Sequence, residues 1–289
     1  MNRRHFFRTS AFAGLSLPAF ALDADNAYRQ NIGIQLYTLR NQLKEDTPGT
    51  IKAIAEAGYQ QIEAYGFPTA SGGMIQAARD HGLAIHSSHF EWESVTDPEK
   101  DGVKPFSEIL ETAHEIGLSH LVVPYLHDRQ RKTLDDWKLV AERCNQAAVQ
   151  AKEADIQLAY HNHAFEYEPK EGGKTGFDVF VEEFAPEMKF EIDVFWVAVG
   201  GQDPVETLRS LSGRVSQVHL KDLKTGSEVP NFGRLEKDAF EELGDGSLSM
   251  EPIIEACAEA GVAHTHIEQD HSPDPIASVK KSLAYLQTL

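Results

Sequence analysis

Residues 47–64 read TPGTIKAIAEAGYQQIEA, and this stretch predicts the fold. Ile51 and Ile54 are at helical spacing, which predicts a helix that Gly58 ends. The run that follows, Tyr59–Ala64, is typical of a short strand. A helix, a glycine and a strand in this order form the unit from which parallel sheets are built, because each helix returns the chain to the start of the next strand.

The same unit recurs along the chain, with glycines after the predicted helices at Gly82, Gly117 and Gly261. Eight strands are predicted, at Ile32–Tyr37, Tyr59–Ala64, Leu83–Ser88, His120–Tyr125, Ile156–His161, Met188–Val194, Arg214–Leu220 and Val262–Glu268. Eight strand–helix units predict a closed (β/α)₈ TIM barrel of one domain. An open doubly wound sheet is the alternative, which is weakened because no Gly-x-Gly-x-x-Gly follows the first strand.

The composition is that of a globular protein, with 289 residues, 41% hydrophobic and 25% charged. The formal net charge of −18 argues against a nucleic-acid partner, since binding a polyanion requires a basic surface. Cys144 and Cys257 lie in separate predicted helices, and we expect two buried thiols rather than a disulfide. The longest irregular stretch, Lys221–Ser249, follows the seventh strand, where a long loop is usually functional or disordered.

The first residues predict an export signal. Arg3 and Arg4 open a basic segment, an apolar run continues to Phe20, and Ala19-Phe20-Ala21 offers a cleavage site. The paired arginines resemble a twin-arginine signal, so we expect residues 1–21 to engage the twin-arginine export machinery and residues 22–289 to be a periplasmic barrel. The apolar run is too short for stable insertion into a membrane.

Polar side chains end the late strands, and catalytic residues of such barrels lie at the C-terminal strand ends. Alternate residues of a strand point to opposite faces, so the apolar neighbours decide which residues face the interior. This parity predicts one interior cluster, made of His161, Asp193, His219 and Glu268. Two imidazoles and two carboxylates would be costly to bury unpaired, and a divalent cation relieves that cost. The alternative is a water-filled pocket lined by His–carboxylate hydrogen bonds.

The motifs at these strand ends resemble those of the xylose-isomerase-like barrel family of sugar phosphate isomerases and epimerases. They are Tyr160-His161-Asn162-His163-Ala164-Phe165-Glu166, Asp193-Val194-Phe195-Trp196, His219-Leu220-Lys221-Asp222 and Ile267-Glu268-Gln269-Asp270. The resemblance implies a divalent metal held at the ends of strands five to eight, commonly by Glu, Asp, His and Glu. Here the first of these positions is His161 or, one inward position later, His163. The ion is Mn²⁺, Zn²⁺, Co²⁺ or Fe²⁺, and Mg²⁺ suits mixed ligands less well.

The resemblance further implies an isomerase or epimerase that removes a proton next to a carbonyl of a carbohydrate by way of an enediolate. Glu268 or His163 would take the proton and Lys221 would neutralise the oxyanion. Glu63 and His89 would bind hydroxyl groups, and Trp196 would offer an apolar face to the sugar. Family epimerases resemble a two-base design with a strand-five glutamate, so an imidazole there favours chemistry with one base.

Three other functions remain open. The same enolate chemistry supports a lyase or hydratase acting on 3-keto-glycosides. A non-catalytic periplasmic sugar-binding barrel uses the same pocket without turnover. A metal-dependent endonuclease resembles another branch of the family, but the net charge of −18 and the export signal count against it. The resemblance loosely implies a homo-oligomer.

Overall fold

The computed structural model describes Tyr28 and residues 31–289. The predicted export signal, residues 1–21, lies outside the described residues, and so does the predicted domain start at residue 22. Among the residues that the structure describes, no helix has both the length and the apolar character that crossing a membrane requires.

Eight parallel strands close into a barrel, and two further short strands lie outside it. The barrel strands are β1 (Gly33–Gln35), β2 (Gln61–Phe67), β3 (Ala84–Phe90), β4 (His120–Val123), β5 (Gln157–His161), β6 (Lys189–Asp193), β7 (Val215–Leu220) and β10 (His264–Ile267), and the outer pair is β8 (Asp222–Leu223) and β9 (Phe240–Glu241). Strand β1 pairs with both β2 and β10, so the sheet has no free edge. The predicted single-domain (β/α)₈ barrel is confirmed, and the open doubly wound sheet is excluded.

Helices connect the strands. They are α1 (Arg40–Glu45), α2 (Thr47–Ala57), α3 (Gly72–Asp80), α4 (Glu93–Thr96), α5 (Phe106–Glu115), α6 (Leu134–Glu153), α7 (Gly176–Glu183), α8 (Val194–Val199), α9 (Pro204–Ser210), α10 (Met250–Ala260) and α11 (Pro275–Leu286). The helices that end before Gly58, Gly82, Gly117 and Gly261 lie where the sequence predicts them, whereas α1, α4 and α8 were not predicted. Gly58 and Gly261 cap α2 and α10 with φ of 106° and 75°. Only glycine adopts this left-handed conformation without strain, which is why the glycines mark the helix ends in the sequence.

Four predicted strands end earlier than the sequence indicates: the fourth ends at Val123 rather than Tyr125, the eighth ends at Ile267 rather than Glu268, and the first and sixth give way to helical turns. Strand β1 stops at Gln35 because Leu36–Leu39 wind into a 3₁₀ helix, whose start is capped by the Gln35 side chain accepting a hydrogen bond from the Tyr37 backbone N–H at 3.0 Å. The sixth strand was predicted to reach Val194, but Val194 is the first residue of α8. The corrections to the first and sixth strands each place a helical turn directly at the barrel mouth.

The interior of the barrel is unusually polar for this fold, whose interiors are commonly filled by branched apolar side chains. Apolar residues of the strands, such as Ile62, Ile192 and Val218, are fully buried in the main hydrophobic core. The inward positions instead carry Gln35, Gln61, Glu63, Ser87, Glu191, Gln217, His219 and His266, all buried. The alternation predicted from the sequence therefore holds. Cys144 and Cys257 are buried free thiols, as predicted.

The long stretch after β7 is ordered around one carboxylate. Strands β8 and β9 pair antiparallel within it. The buried Asp222 accepts hydrogen bonds from the backbone N–H groups of Leu223 and Leu248 with Oδ1, and from those of Gly244 and Gly246 with Oδ2, at 2.9–3.1 Å. A Cβ on Gly246 would lie 2.3 Å from Asp222 Oδ1, so this close approach requires glycine.

We predict that Asp222→Asn destabilises the protein by about 2–3 kcal/mol, because an amide presents an N–H group to backbone donors that need an acceptor. Urea-induced unfolding measures this change. Asp238→Asn is the control, since Asp238 is an exposed partner of Lys224 in the same loop and its replacement should leave the stability nearly unchanged. Equal stability of Asp222→Asn and the unmodified protein would show that Asp222 does not hold the loop.

Candidate active site

The four residues predicted as metal ligands lie together at the C-terminal end of the barrel. His161, Asp193 and His219 stand on β5, β6 and β7, and Glu268 directly follows β10. Each offers one ligand atom, and these atoms all lie within 4.8 Å of one another. All four side chains are buried. The spacing is that of a coordination shell, and the mixed nitrogen and oxygen donors suit a divalent transition metal.

Asp193 is oriented by the helix that follows it. Its Oδ1 accepts hydrogen bonds from the backbone N–H groups of Phe195 and Trp196, at 3.0 and 3.1 Å, and so caps α8. Its Oδ2 is buried and lies 2.9 Å from the ammonium of Lys221. Burial raises the pKa of Asp193 to about 6, against the opposing charge of Lys221. Oδ2 is therefore held toward the cluster, where the Lys221 ammonium stabilises it and a divalent ion would do so as well.

Two further carboxylates, Glu63 and Glu191, lie in contact with the ligand imidazoles, and we name them the inner carboxylate pair. Glu191 Oε2 lies 3.1 Å from His161 Nδ1 and 2.9 Å from His89 Nε2. Burial and the neighbouring imidazole of His219 lower the pKa of His161, so its ring is neutral. A neutral imidazole has one N–H, and the carboxylate places it on Nδ1.

The remaining nitrogen of His161 thus carries a lone pair. This Nε2 faces Asp193 Oδ2 at 3.8 Å, so two electron donors meet with no proton between them. The Lys221 ammonium already stabilises Asp193 Oδ2, and a divalent ion between the two atoms would accept the lone pair of His161 as well. The residues therefore fit a divalent ion, and His161 rather than His163 is the β5 side chain in the ligand cluster.

His219 is held from both sides. Its Nε2 lies 2.8 Å from Glu63 Oε1 and its Nδ1 lies 2.9 Å from Glu268 Oε2. Burial opposes the charged imidazole, but the carboxylates of Glu191 and Glu268 raise the pKa of His219 well above its usual value. The contact on the Nδ1 side is one that a proton or a divalent ion can bridge, so the two compete for the same position.

Lys221 brings a permanent cation to the same place. Its Nζ lies 2.9 Å from Asp193 Oδ2, 2.7 Å from Glu268 Oε2 and 3.0 Å from Asp270 Oδ2. Burial lowers the pKa of an ammonium, but these carboxylates raise the pKa of Lys221 well above its usual value. Lys221 and His219 lower the pKa of Glu268, against the effect of burial. The Lys221 ammonium and the Glu268 carboxylate therefore stay ionised together.

A cavity of about 590 Å³ opens above the cluster. Of the predicted site residues, His161, His163, Lys221 and Glu268 line it, together with His89 and Trp196. Glu63 is placed differently: it is fully buried and bonded to Gln35 and Ser87 in the barrel interior. Its carboxylate thus contacts the ligand imidazole of His219 rather than the cavity.

The sequence reading assigned no role to Glu191 or Asp270. Glu191 was recognisable as an inward residue two positions before Asp193, but a strand pattern does not show that its carboxylate contacts three imidazoles. The third of these contacts joins Glu191 Oε2 to His219 Nε2, at 3.3 Å. Asp270 follows Glu268 by two residues and both lines the cavity and holds Lys221.

A closed barrel with carboxylates and imidazoles gathered at the C-terminal strand ends is the architecture of barrel enzymes that use a metal. The chain belongs to the xylose isomerase-like TIM barrel family, whose profile matches residues 51–289. The family resemblance predicted from the strand-end motifs is thereby confirmed.

The relatives are enzymes that act on small sugar-like molecules. Inosose dehydratase of Clostridium botulinum is 25% identical over 275 residues, which cover 84% of this chain and 90% of that protein. The crystal structure of a sugar phosphate isomerase/epimerase from Parabacteroides distasonis is 26% identical, with a TM-score of 0.72 over 94% of this chain and 98% of that one. The structure of 3-keto-D-glucoside 4-epimerase from E. coli, 19% identical, shares the fold with a TM-score of 0.66 over 90% of this chain and 100% of that one.

We predict that Glu191→Gln weakens Co²⁺ binding by about 10- to 100-fold, because the amide no longer fixes the proton of His161 on Nδ1. Titration followed by the visible absorbance of bound Co²⁺ measures both the affinity and the ligand geometry. Glu182→Gln, on the exposed face of α7, is the matched control and should bind as the unmodified protein does. Undiminished affinity in Glu191→Gln would show that the inner carboxylate pair does not support the metal ligands.

Proposed function

We propose that this protein is a divalent-metal-dependent enzyme that isomerises or epimerises a carbohydrate by removing the proton next to a carbonyl group. One observation carries the proposal: the ligand atoms of His161, Asp193, His219 and Glu268 converge below a cavity that also exposes unused acid–base groups. When bound, the divalent ion would polarise the carbonyl and the neighbouring oxygen of the substrate.

His163 is the group best placed to accept the proton. It lines the cavity, and burial together with the charge of Lys221 lowers its pKa to about 3, so its ring is neutral at pH 7 but is a weak base until negative charge develops on the bound substrate beside it. Its position is fixed by stacking on Phe165, with ring centroids 5.3 Å apart. Glu268, the other predicted base, already contacts both His219 and Lys221 with one oxygen. The assignment of the base to His163 therefore leaves Glu268 to the metal.

Lys221 and His89 complete the polar end of the cavity. When the proton leaves the substrate carbon, negative charge develops on the carbonyl oxygen, and the Lys221 ammonium would stabilise it. His89 donates to the inner carboxylate pair, and those carboxylates raise its pKa to about 9 in spite of burial. Trp196, 5.3 Å from His163 between ring centroids, would cover one face of the sugar.

A second candidate, elimination from a keto-sugar, is favoured by the name of the dehydratase relative. Elimination begins with the same proton transfer to His163. The electron pair of the broken C–H bond then forms a C=C bond while the C–O bond to the β substituent breaks. The leaving oxygen keeps the electron pair of that C–O bond and takes up the proton held by His163. A single base suffices for this reaction, which agrees with an imidazole at the β5 position.

We predict that Asp193→Asn and His219→Ala each lose bound metal, whereas His163→Ala keeps the metal and loses about 10²- to 10⁴-fold in kcat. Metal content is measured by mass spectrometry of the purified protein. Turnover is measured as solvent deuterium entering a 3-keto-D-glucoside, the substrate class named for the E. coli structural neighbour. His114→Ala, an exposed histidine of α5, is the control for both measurements.

The outcomes separate the candidate functions. Deuterium incorporation without loss of the aglycone supports isomerisation, and release of the aglycone supports elimination. Metal binding without any exchange at the substrate carbon supports a sugar-binding protein and contradicts the enzymatic proposal. Full metal content in both Asp193→Asn and His219→Ala would contradict the proposed ligands.

We further propose that the protein is exported, because Arg3 and Arg4 open the basic start of residues 1–21. Replacing both arginines by lysine keeps the charge and removes the paired guanidinium groups. We predict that this variant moves from the periplasmic to the cytoplasmic fraction of the cell, as followed by immunoblotting. An unchanged distribution would contradict export by the twin-arginine pathway.

A further inference from the structure

The two halves of the barrel supply different side chains to the cavity. The ligand cluster comes from the four late strands, β5, β6, β7 and β10. Besides the buried Phe90 of β3, each of the four early strands supplies one exposed or partly exposed aromatic residue to the cavity near its C-terminal end. They are Tyr37 after β1, Tyr65 in β2, Trp92 after β3 and Tyr125 after β4, and all four line the cavity. We name these four residues the aromatic wall.

The rings of the aromatic wall are held in pairs. Tyr37 and Tyr65 meet edge to face with centroids 5.6 Å apart, and Trp92 and Tyr125 do so at 6.3 Å. The guanidinium of Arg40 lies 4.4 Å from the centroid of the Tyr37 ring. All four rings stay partly exposed, and Tyr37 is 42% exposed. Aromatic surface arranged in this way around a cavity is characteristic of a binding site.

The cavity is too extended to be explained by the reacting group alone. The metal ligands occupy one side of an eight-stranded barrel, and the aromatic wall comes from the other side. A volume of about 590 Å³ lies within the range of pockets that enclose ligands of several rings. The ring of Tyr125 lies 5.4 Å from that of His163 and can contact a single sugar held at the ligand cluster, but such a sugar would leave Tyr37 and Tyr65 facing water.

The charges of the cavity argue against a phosphate in the early-strand half. Lys221 is held by three carboxylates, and Arg40 donates to the backbone carbonyls of Tyr37 and Asp270 at 2.9 and 2.7 Å. Arg234, exposed on the loop after β8, is the other Lys or Arg residue that lines the cavity. Rings rather than cations dominate this half, so it suits an uncharged group with a flat apolar face.

We propose that the aromatic wall is a second subsite, which binds a ring attached to the reacting sugar. The substrate is then a glycoside of a keto-sugar, whose aglycone ring packs on Trp92 and its neighbours while the keto-sugar lies at the ligand cluster. This inference rests on the proposed function for the identity of the reacting sugar. Binding of the attached ring to the subsite can be measured without any turnover.

Calorimetric titration of the metal-loaded protein with the methyl and phenyl β-glycosides of 3-keto-D-glucose tests the subsite. We expect the phenyl glycoside to bind about tenfold or more tightly, since one stacked ring contributes on the order of 1 kcal/mol beyond its buried area. A 3-keto disaccharide as a third ligand shows whether a sugar ring serves as well as an aryl ring.

Substitutions test whether the aromatic wall causes the tighter binding of the phenyl glycoside. Trp92→Ala and Tyr37→Ala should each bring the ratio of the two affinities toward one, and Trp92→Phe, which keeps a ring, should retain most of it. Tyr37 is largely exposed, so its replacement leaves the core intact if Trp92→Ala fails to fold. Leu139→Ala, an exposed apolar position on α6, is the control and should keep the full ratio.

The results separate the subsite from the reaction. Equal affinities for both glycosides in the unmodified protein would overturn the subsite, whether or not either is converted. Tighter binding of the phenyl glycoside without conversion of either would support the subsite and count against the proposed function. A preference that persists in all aromatic-wall variants would place the ring elsewhere and overturn the assignment.

Discussion

Four carboxylates are buried inside one barrel, and the rest of the structure depends on balancing their negative charge. Glu63, Glu191 and Asp193 have no exposed surface, and Glu268 is 5% exposed. A buried carboxylate without a partner would cost several kcal/mol, so each must find positive charge or hydrogen-bond donors within the barrel. The β-strand geometry makes this possible, because inward residues of neighbouring parallel strands stand side by side. Asp193 pairs with His219 in register, and His219 pairs with His266.

The positive charge comes from Lys221, from protonated imidazoles or from a divalent ion. Burial lowers the pKa of both His89 and His219, but the neighbouring carboxylates raise it above the usual value. When no metal is bound, the protons on these imidazoles therefore balance the charge of the buried carboxylates. Binding of a divalent ion at this cluster would then release a proton from His219, which would couple the affinity for the ion to pH and the ion to the stability of the fold. The inner carboxylate pair has the second function of fixing which nitrogen of each imidazole remains free. Folding and ligand orientation thus depend on the same contacts.

Much of this site could be predicted because the period of a strand is two. Val218 and Leu220 identify His219 as inward, and the same reasoning on the other late strands finds the remaining three ligands. Depth along a strand is harder to predict. Glu63 was expected to bind substrate, but the pairing of β2 with β3 shifts register after Ile62 and aligns Glu63 with Ser87. The register between strands decides which side chains form hydrogen bonds, and so which nitrogens of His161 and His219 are protonated. The alternation of residues along one strand does not show this.

The division between the two halves of the barrel has a physical reason. The charged side chains at the late strands must stay within hydrogen-bond distance of one another. Residues within paired strands, or directly beside them, are rigid enough to keep these distances. Tyr37 and Trp92 of the aromatic wall stand instead in the turns after β1 and β3, where a change alters shape without disturbing the buried charge balance. Recognition of the group attached to the sugar is therefore free to vary while the proton-transfer machinery is not. A barrel built in this way can exchange one substrate for another through its early-strand turns and retain the chemistry of its late strands.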